Sequence, residues 1–425
     1  MRPDRRAVLG TALYGTAALA APSIVRAQAA SARVVVVGGG FGGGTAARYL
    51  RQLAPQLQVT LVEPAKRFYT CPFSNLYLAG LRSWESIGHN YDGLRAAGVE
   101  IVHERADDVD AAARTVRLAN GKMLRWDRLV LSPGIDLRWN ALEGYGEAAA
   151  ELAPHAWKAG PQTLLLRRQM EAMPDGGTFL MAVPDNPFRC PPGPYERAAM
   201  VAHYFKQHKP RSKIILLDAK ANFSKKALFL QGWKALYGDM IEWVGVAQDG
   251  QVVRVDARAL EVESVFGTRH KADVLNVIPP QKAGSIAERA GVTDNSGWAP
   301  VKGENFESER VAGIHVLGDA AFAGPMPKSG FAANNQGKLA AAAIAAELSG
   351  RMRPIASYAN TCYSLIGPGY GISVAGVYHA HEGRLIDVPH SVGISPLDAD
   401  AAFRAAEARY GAAWYAAISA DIWDH

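Results

Sequence analysis

Three cysteines supply all the thiol chemistry available to this 425-residue chain: Cys71, Cys190 and Cys362, each more than a hundred residues from the next. A thiol can pair as a disulfide, attack an electrophile as a thiolate, or carry a covalent group. Three is an odd count, so one pair and one leftover is the simplest account in an oxidising compartment. A single disulfide cannot staple a fold of this size. Functional roles for the cysteines therefore come ahead of structural ones. Their settings differ: Cys71 lies in "YTCPFSN" behind a strand that ends in Glu63, Cys190 opens "CPPGPYER", and Cys362 sits in "NTCYSL".

The first residues bear on the compartment. "MRPDRRAVLGTALYGTAALAAPSIVRAQAA" has a charged start, a short apolar run and an Ala27-Gln28-Ala29 cleavage site, so residues 1–29 are expected to be an export signal. The Arg5–Arg6 pair suggests the twin-arginine route, which carries folded, cofactor-loaded proteins; Asp4 and Val8 depart from its usual pattern, and a Sec-type signal is the alternative. Either route leads to the periplasm. The segment holds four Arg and one Asp, so its removal takes the net charge from +6 to about +3. No basic block remains that would suit nucleic acid, and no later run of eighteen apolar residues suits a transmembrane helix.

The elements that must position the cysteines begin with "ARVVVVGGGFGGGTAARYLRQL", a buried strand Arg33–Val37 leading through a glycine turn into a helix. Gly38, Gly40 and Gly43 satisfy G-x-G-x-x-G, and a second strand ends in Glu63, twenty-five residues beyond Gly38. Such glycines let the backbone approach a pyrophosphate at the helix N-terminus, and the acid accepts hydrogen bonds from a ribose. A dinucleotide is expected here. In the region Ala153–Pro279, the strand Gly177–Val183 runs into "PDNPFRCPPGPYERAAM" with no second fingerprint, although the next strand still ends in Asp218. This reads as a nucleotide fold put to another use, and it disfavours NAD(P)H as reductant.

Two later segments favour FAD. A strand Gly313–Leu317 ends in Gly318-Asp319 before an Ala-rich helix from about Phe331 to Leu348, which resembles the second flavin motif of two-dinucleotide-domain flavoproteins. That resemblance implies that Asp319 bonds the ribityl chain and that the helix N-terminus faces the flavin ring. "WDRLVLSPGI" matches the same family's crossover, with Gly134 at its small-residue turn. The expected fold class is α/β. It comprises an FAD-binding domain (30–152 and 280–349) and a second Rossmann-like domain without an NAD fingerprint (153–279). A C-terminal interface domain (350–425) completes it.

Taken together, the glycine fingerprint, "YTCPFSN", "CPPGPYER", "GDA…MPKSGFAANNQ" and "NTCYSL" resemble the flavoprotein subunit of flavocytochrome c sulfide dehydrogenase over essentially the whole length after the leader. The resemblance implies a covalent thioether from Cys71 to the 8α-methyl of FAD, where the alternative is a free thiol under the flavin loop. It implies that Cys190 and Cys362 form a pair, either a redox disulfide opened by hydrosulfide or a structural one. It makes Glu196 a proton shuttle; otherwise it is a helix N-terminal acid balanced by Arg197. Lys328 would support anionic reduced flavin, or else face solvent.

No C-x-x-C-H motif is present, so haem would come from a partner c-type cytochrome. An aromatic C-terminal stripe, Tyr410, Trp414, Tyr415 and Ile418, either packs on its own chain or stays exposed for that partner. The competing readings are a sulfide:quinone oxidoreductase, for which Glu407 and Arg409 make this stretch a poor lipid anchor, and a non-catalytic flavin-binding subunit.

Overall fold

The computed structural model describes residues 31–424; the expected export signal lies outside the described residues. Val34–Val37 are almost wholly buried, as expected of a β-branched run covered on both faces. This strand, Arg33–Val37, pairs in parallel with Gln58–Val62 on one side and Arg128–Leu131 on the other. Glu100–Val102 and Ile314–Val316 complete a five-stranded parallel sheet. Residues about two hundred positions apart thus share one sheet, which brings Asp319 to the same strand ends as the glycine turn.

A second parallel sheet runs in the order Ile241–Val244, Lys213–Asp218, Thr178–Val183, Val274–Val277. The helix Gly193–His208 follows its central strand and carries Glu196 in its first turn. Beyond Gly350 comes an antiparallel sheet that sequence reading did not foresee. Its long hairpin, Ser357–Gly367 and Tyr370–His381, is extended by Arg384–Asp387 and Gly393–Ile394, and the helix Ala401–Ile422 packs against it. From Ala32 onward the chain forms one compact unit, with a main core cluster running through all three regions.

Small residues let the two helices over the first sheet approach closely. The helix Gly330–Leu348 lies on Phe41–Leu53, where Asn334 Nδ2 donates to Thr45 Oγ1 at 2.9 Å. A Cβ on Gly337 would stand 2.7 Å from the Gly42 carbonyl oxygen and 2.9 Å from Thr45 Cβ. Neither neighbour is a flexible side-chain end, so Gly337→Leu should overpack this interface and destabilise the protein by roughly 3 kcal/mol. The check is a lower urea midpoint at unchanged slope.

Candidate functional site

At the C-terminal end of the first sheet the glycine turn closes as the sequence requires. Gly38 has φ +99°, and a Cβ there would lie 2.2 Å from the Ser132 carbonyl oxygen; one on Gly43 would lie 1.9 Å from that of Gly38. Only glycine permits this approach of helix to strand. Gly40 caps the helix Phe41–Leu53 without a side-chain hydrogen bond, which leaves the terminal N–H groups open toward the cavity in front of them. Glu63 stands at its rim and accepts from the Gly39 and Ala65 N–H groups, both at 2.9 Å.

That cavity, of about 420 Å³, is lined by Gly38, Gly40, Glu63, Gly134 and Asp319, and also by Cys71, Cys190, Cys362 and Glu196. Three buried donors on its wall find no partner in the protein: Trp157 Nε1, Arg189 Nη2 and Trp414 Nε1. Orphan donors of this kind suit a ligand rich in acceptor atoms, and with the glycine turn they fit FAD.

All three cysteines are free thiols. Cys71 Sγ lies 3.5 Å from the Trp157 carbonyl oxygen, at the cavity wall. Cys190 and Cys362, the expected pair, face the same cavity, here as free thiols. They are close enough that charge on Cys362 raises the pKa of Cys190, which burial has already pushed up; Glu196 adds to this and Arg189 opposes it. The turn Cys190–Gly193 places Cys190 in a left-handed backbone conformation, φ +57°, with its N–H donating to the Lys328 carbonyl at 2.9 Å. On the strand Ser357–Gly367, Asn360 Nδ2 donates to Cys362 Sγ at 3.3 Å.

Glu196 is half-buried and faces the cavity. Desolvation pushes its carboxyl up to about 7; Lys225, the Leu365 N–H, Arg197 and Asn75 pull it back without cancelling that. Arg197 turns its guanidinium elsewhere, donating to Asn75, Asn276 and the carbonyls of His155 and Ala156. It is a structural hub rather than a paired counter-ion for Glu196. Asp319 lies 3.7 Å from Arg189, and burial raises its pKa.

Lys328 neither lines the cavity nor faces solvent. Its ammonium donates to the Asp319 carbonyl at 2.9 Å and the Ala321 carbonyl at 2.6 Å, and it stacks 3.8 Å over Trp298. In this arrangement it ties the Asp319 loop to the loop of Cys190, and burial pushes its pKa down to about 8.

Asp218, left over at the second strand end, is filled from within. Tyr195 Oη donates to it at 2.6 Å, Trp243 Nε1 at 2.9 Å and Lys220 Nζ at 2.6 Å. Its carboxylate has no free position for a ribose, which gives the missing glycine fingerprint a structural counterpart.

The C-terminal stripe packs on its own chain. Tyr415 and Ile418 are buried, Trp414 is half-buried at the cavity, and only Tyr410, 59 % exposed, points outward. Tyr415 Oη meets Thr70 Oγ1 at 2.7 Å, and Trp423 Nε1 donates to the Gly39 carbonyl at 3.2 Å, so the last helix roofs the dinucleotide site. Sequence reading missed Lys225, Arg189 and Asn360. Arg189 and Asn360 stand within "PDNPFRCPPGPYERAAM" and "NTCYSL" and Lys225 in no motif, but no residue type or spacing marks them there: what distinguishes all three is burial beside residues remote in sequence.

The comparisons with known proteins accord with this geometry. Residues 163–279 match the model of the central domain of the sulfide dehydrogenase [flavocytochrome c] flavoprotein chain. Residues 354–423 match that of the flavocytochrome c sulphide dehydrogenase flavin-binding domain, and residues 32–165 that of pyridine nucleotide-disulphide oxidoreductases. The chain is 70% identical over 43 residues, 10% of its own length, to the sulfide dehydrogenase [flavocytochrome c] flavoprotein chain of Chlorobaculum thiosulfatiphilum, covering 90% of that sequence. It is 23% identical over 302 residues to the mitochondrial sulfide:quinone oxidoreductase of Mus musculus, a match that spans 67% of this chain and 65% of the mouse protein. In fold it is similar to the sulfide:quinone oxidoreductase of the bacterium Aquifex aeolicus, with a TM-score of 0.70, 19% identity and 92% of each chain covered. The α/β architecture with its two parallel sheets is therefore that of the pyridine nucleotide-disulphide oxidoreductases, and the chain belongs to the flavocytochrome c sulfide dehydrogenase flavoprotein family, related to sulfide:quinone oxidoreductase.

Proposed function

We propose that this protein is an exported, FAD-dependent sulfide dehydrogenase of the periplasm that passes electrons to a c-type cytochrome. One observation carries the reading: Cys71, Cys190, Cys362 and Glu196, drawn from three regions of the chain, face one cavity with the dinucleotide-binding glycines.

Gly38, Gly40 and Gly43 would hold the pyrophosphate, Glu63 the ribose and Asp319 the ribityl chain, with Cys71 as the covalent tether. Bound FAD supplies a two-electron acceptor that can return electrons singly to a haem. The protein's own part begins with Cys190 and Cys362 in their disulfide form. Hydrosulfide attacks one sulfur, a new S–S bond forms as the old one breaks, and the products are a persulfide and a thiolate. Glu196 takes the proton that the persulfide sheds. Its desolvated carboxyl suits this task, because a base works best with a pKa near the working pH.

The sign of the pH dependence follows. Below about 7 Glu196 is protonated and cannot accept; above it the carboxylate is available. Sulfide-dependent flavin reduction should rise through that range, and Glu196→Gln should flatten the rise and slow the plateau by ~100-fold. The substrate's own ionisation is common to both proteins, so the difference between their profiles isolates the carboxylate.

The test of the reading is an anaerobic titration with sulfide that follows the flavin spectrum. The native flavin should bleach, cytochrome c should restore its colour, and yellow colour should stay with the acid-precipitated chain. A flavin untouched by sulfide would defeat the catalytic reading, while bleaching reversed only by a quinone would select the quinone-linked alternative. Among the described residues no helix is long and apolar enough to cross a membrane.

A further inference from the structure

A buried lysine is anchored to the strand segment that carries one member of the cysteine pair. Lys225 precedes the helix Lys226–Tyr237 in a left-handed backbone conformation, φ +62°, which side-chain-bearing residues rarely adopt. That turn sends its side chain inward, where only 5 % of the residue is exposed. The ammonium donates to the Cys362 carbonyl and to Ser364 Oγ, both at 2.8 Å. Alternate residues of a strand share a face, so the side chains of Asn360, Cys362 and Ser364 lie on one side of the strand Ser357–Gly367. The cation is therefore anchored on the face from which the Cys362 sulfur projects.

We infer that Lys225 is the positioning cation of the thiol pair: it fixes the strand segment that carries Cys362 and holds the negative charge that opening of the disulfide leaves on that sulfur. This rests on the sulfide-oxidation reading above and deepens it, because it gives the two cysteines different roles. Hydrosulfide attacks Cys190; the Cys190–Cys362 bond breaks, its electron pair stays on Cys362 as a thiolate, and Cys190 becomes the persulfide. The opposite polarity would leave the thiolate on Cys190, where burial and the charges of Cys362 and Glu196 oppose it.

The environment of Lys225 agrees. Burial pushes its pKa down to about 8, while Cys362, Glu196, Cys190 and Glu407 all act to retain its proton. These four act on it from the strand Ser357–Gly367, the helix Gly193–His208, the loop before that helix and the helix Ala401–Ile422. Each carries or can acquire negative charge, so every thiolate formed at the site strengthens the hold on the cation.

The test reads thiol reactivity and needs no turnover. The flavin-loaded protein is reduced with dithiothreitol under nitrogen, a small alkylating reagent is added, and labelling of each cysteine is timed by peptide mass spectrometry. Lys225→Gln keeps a donor for the Cys362 carbonyl but removes the charge. It should slow alkylation of Cys362 by ~10-fold, the effect of about one pKa unit on a thiolate, and change Cys190 less than two-fold. Lys225→Arg should restore the wild-type rate at Cys362. Unchanged labelling of Cys362 in Lys225→Gln, or an equal fall at both cysteines, overturns the inference. If Lys225→Gln does not fold, Ser364→Ala, which loosens the ammonium without removing it, should give a smaller loss confined to Cys362, and no loss there overturns it as well. Because sulfide is absent, failure of this assay is distinct from failure of the sulfide titration.

Discussion

Serine in place of Cys190 or Cys362 should abolish sulfide-dependent flavin reduction, with a loss of at least ~1,000-fold, about 4 kcal/mol of barrier, while flavin content stays as in the wild type. The two sulfurs lie on the cavity wall, and neither is fully buried in the core, so one oxygen for sulfur should leave the packing intact. The loss is chemical: a hydroxyl cannot form or accept the S–S bond on which the proposed attack depends. Cys71 is a separate residue with its own contact to the Trp157 carbonyl, so attachment of the cofactor should not depend on the pair. Two groups that act as one unit are non-additive, and the double variant should be no slower than either single one. Stopped-flow bleaching under anaerobic conditions measures all three. A single variant that kept a tenth of the wild-type rate would rule out a mechanism that needs both thiols.

Gly43→Ala is expected to give a protein that purifies without colour. The added Cβ would stand 1.9 Å from the Gly38 carbonyl oxygen, a backbone atom that cannot swing aside. To relieve the clash the helix Phe41–Leu53 must move off the strand Arg33–Val37, at a cost of roughly 3 kcal/mol. The same movement withdraws the open helix N-terminus from the place where a pyrophosphate would lie. Without that seat the cofactor would not reach Cys71 for the proposed attachment, and neither the bound nor the covalent form should accumulate. Flavin absorbance per mole of chain should drop at least ~10-fold, with a lower thermal midpoint. A yellow variant of normal stability would show that this glycine is not needed for the close approach.

Legibility differed by kind of feature. The glycine turn, the strands ending at Glu63 and Asp218, and the Ala-rich helix expected from about Phe331 to Leu348 and found at Gly330–Leu348 are set by residues within a few positions of one another. Backbone sterics and side-chain period act over that range, so such signals survive in a single sequence. The C-terminal region shows the reverse. Its long hairpin was not foreseen, since alternation in "SYANTCYSLIG" is masked by half-buried polar residues that face the cavity. The outward or inward choice of Tyr410, Trp414, Tyr415 and Ile418 was decided by what the end of the chain meets: Thr70 and the glycine turn.

The sequence by itself determined that a dinucleotide cradle exists, which acid closes it, and that the second nucleotide fold lacks its glycines. Those properties belong to short segments, where one residue type alone fits the backbone. Only the tertiary structure decided that Asp218 is occupied by Tyr195, Trp243 and Lys220, that Lys328 braces two loops, and that Lys225 stands beside Cys362. Burial and charge are fields summed over neighbours from every part of the chain. Their values at one side chain are fixed only when the whole fold has closed around it.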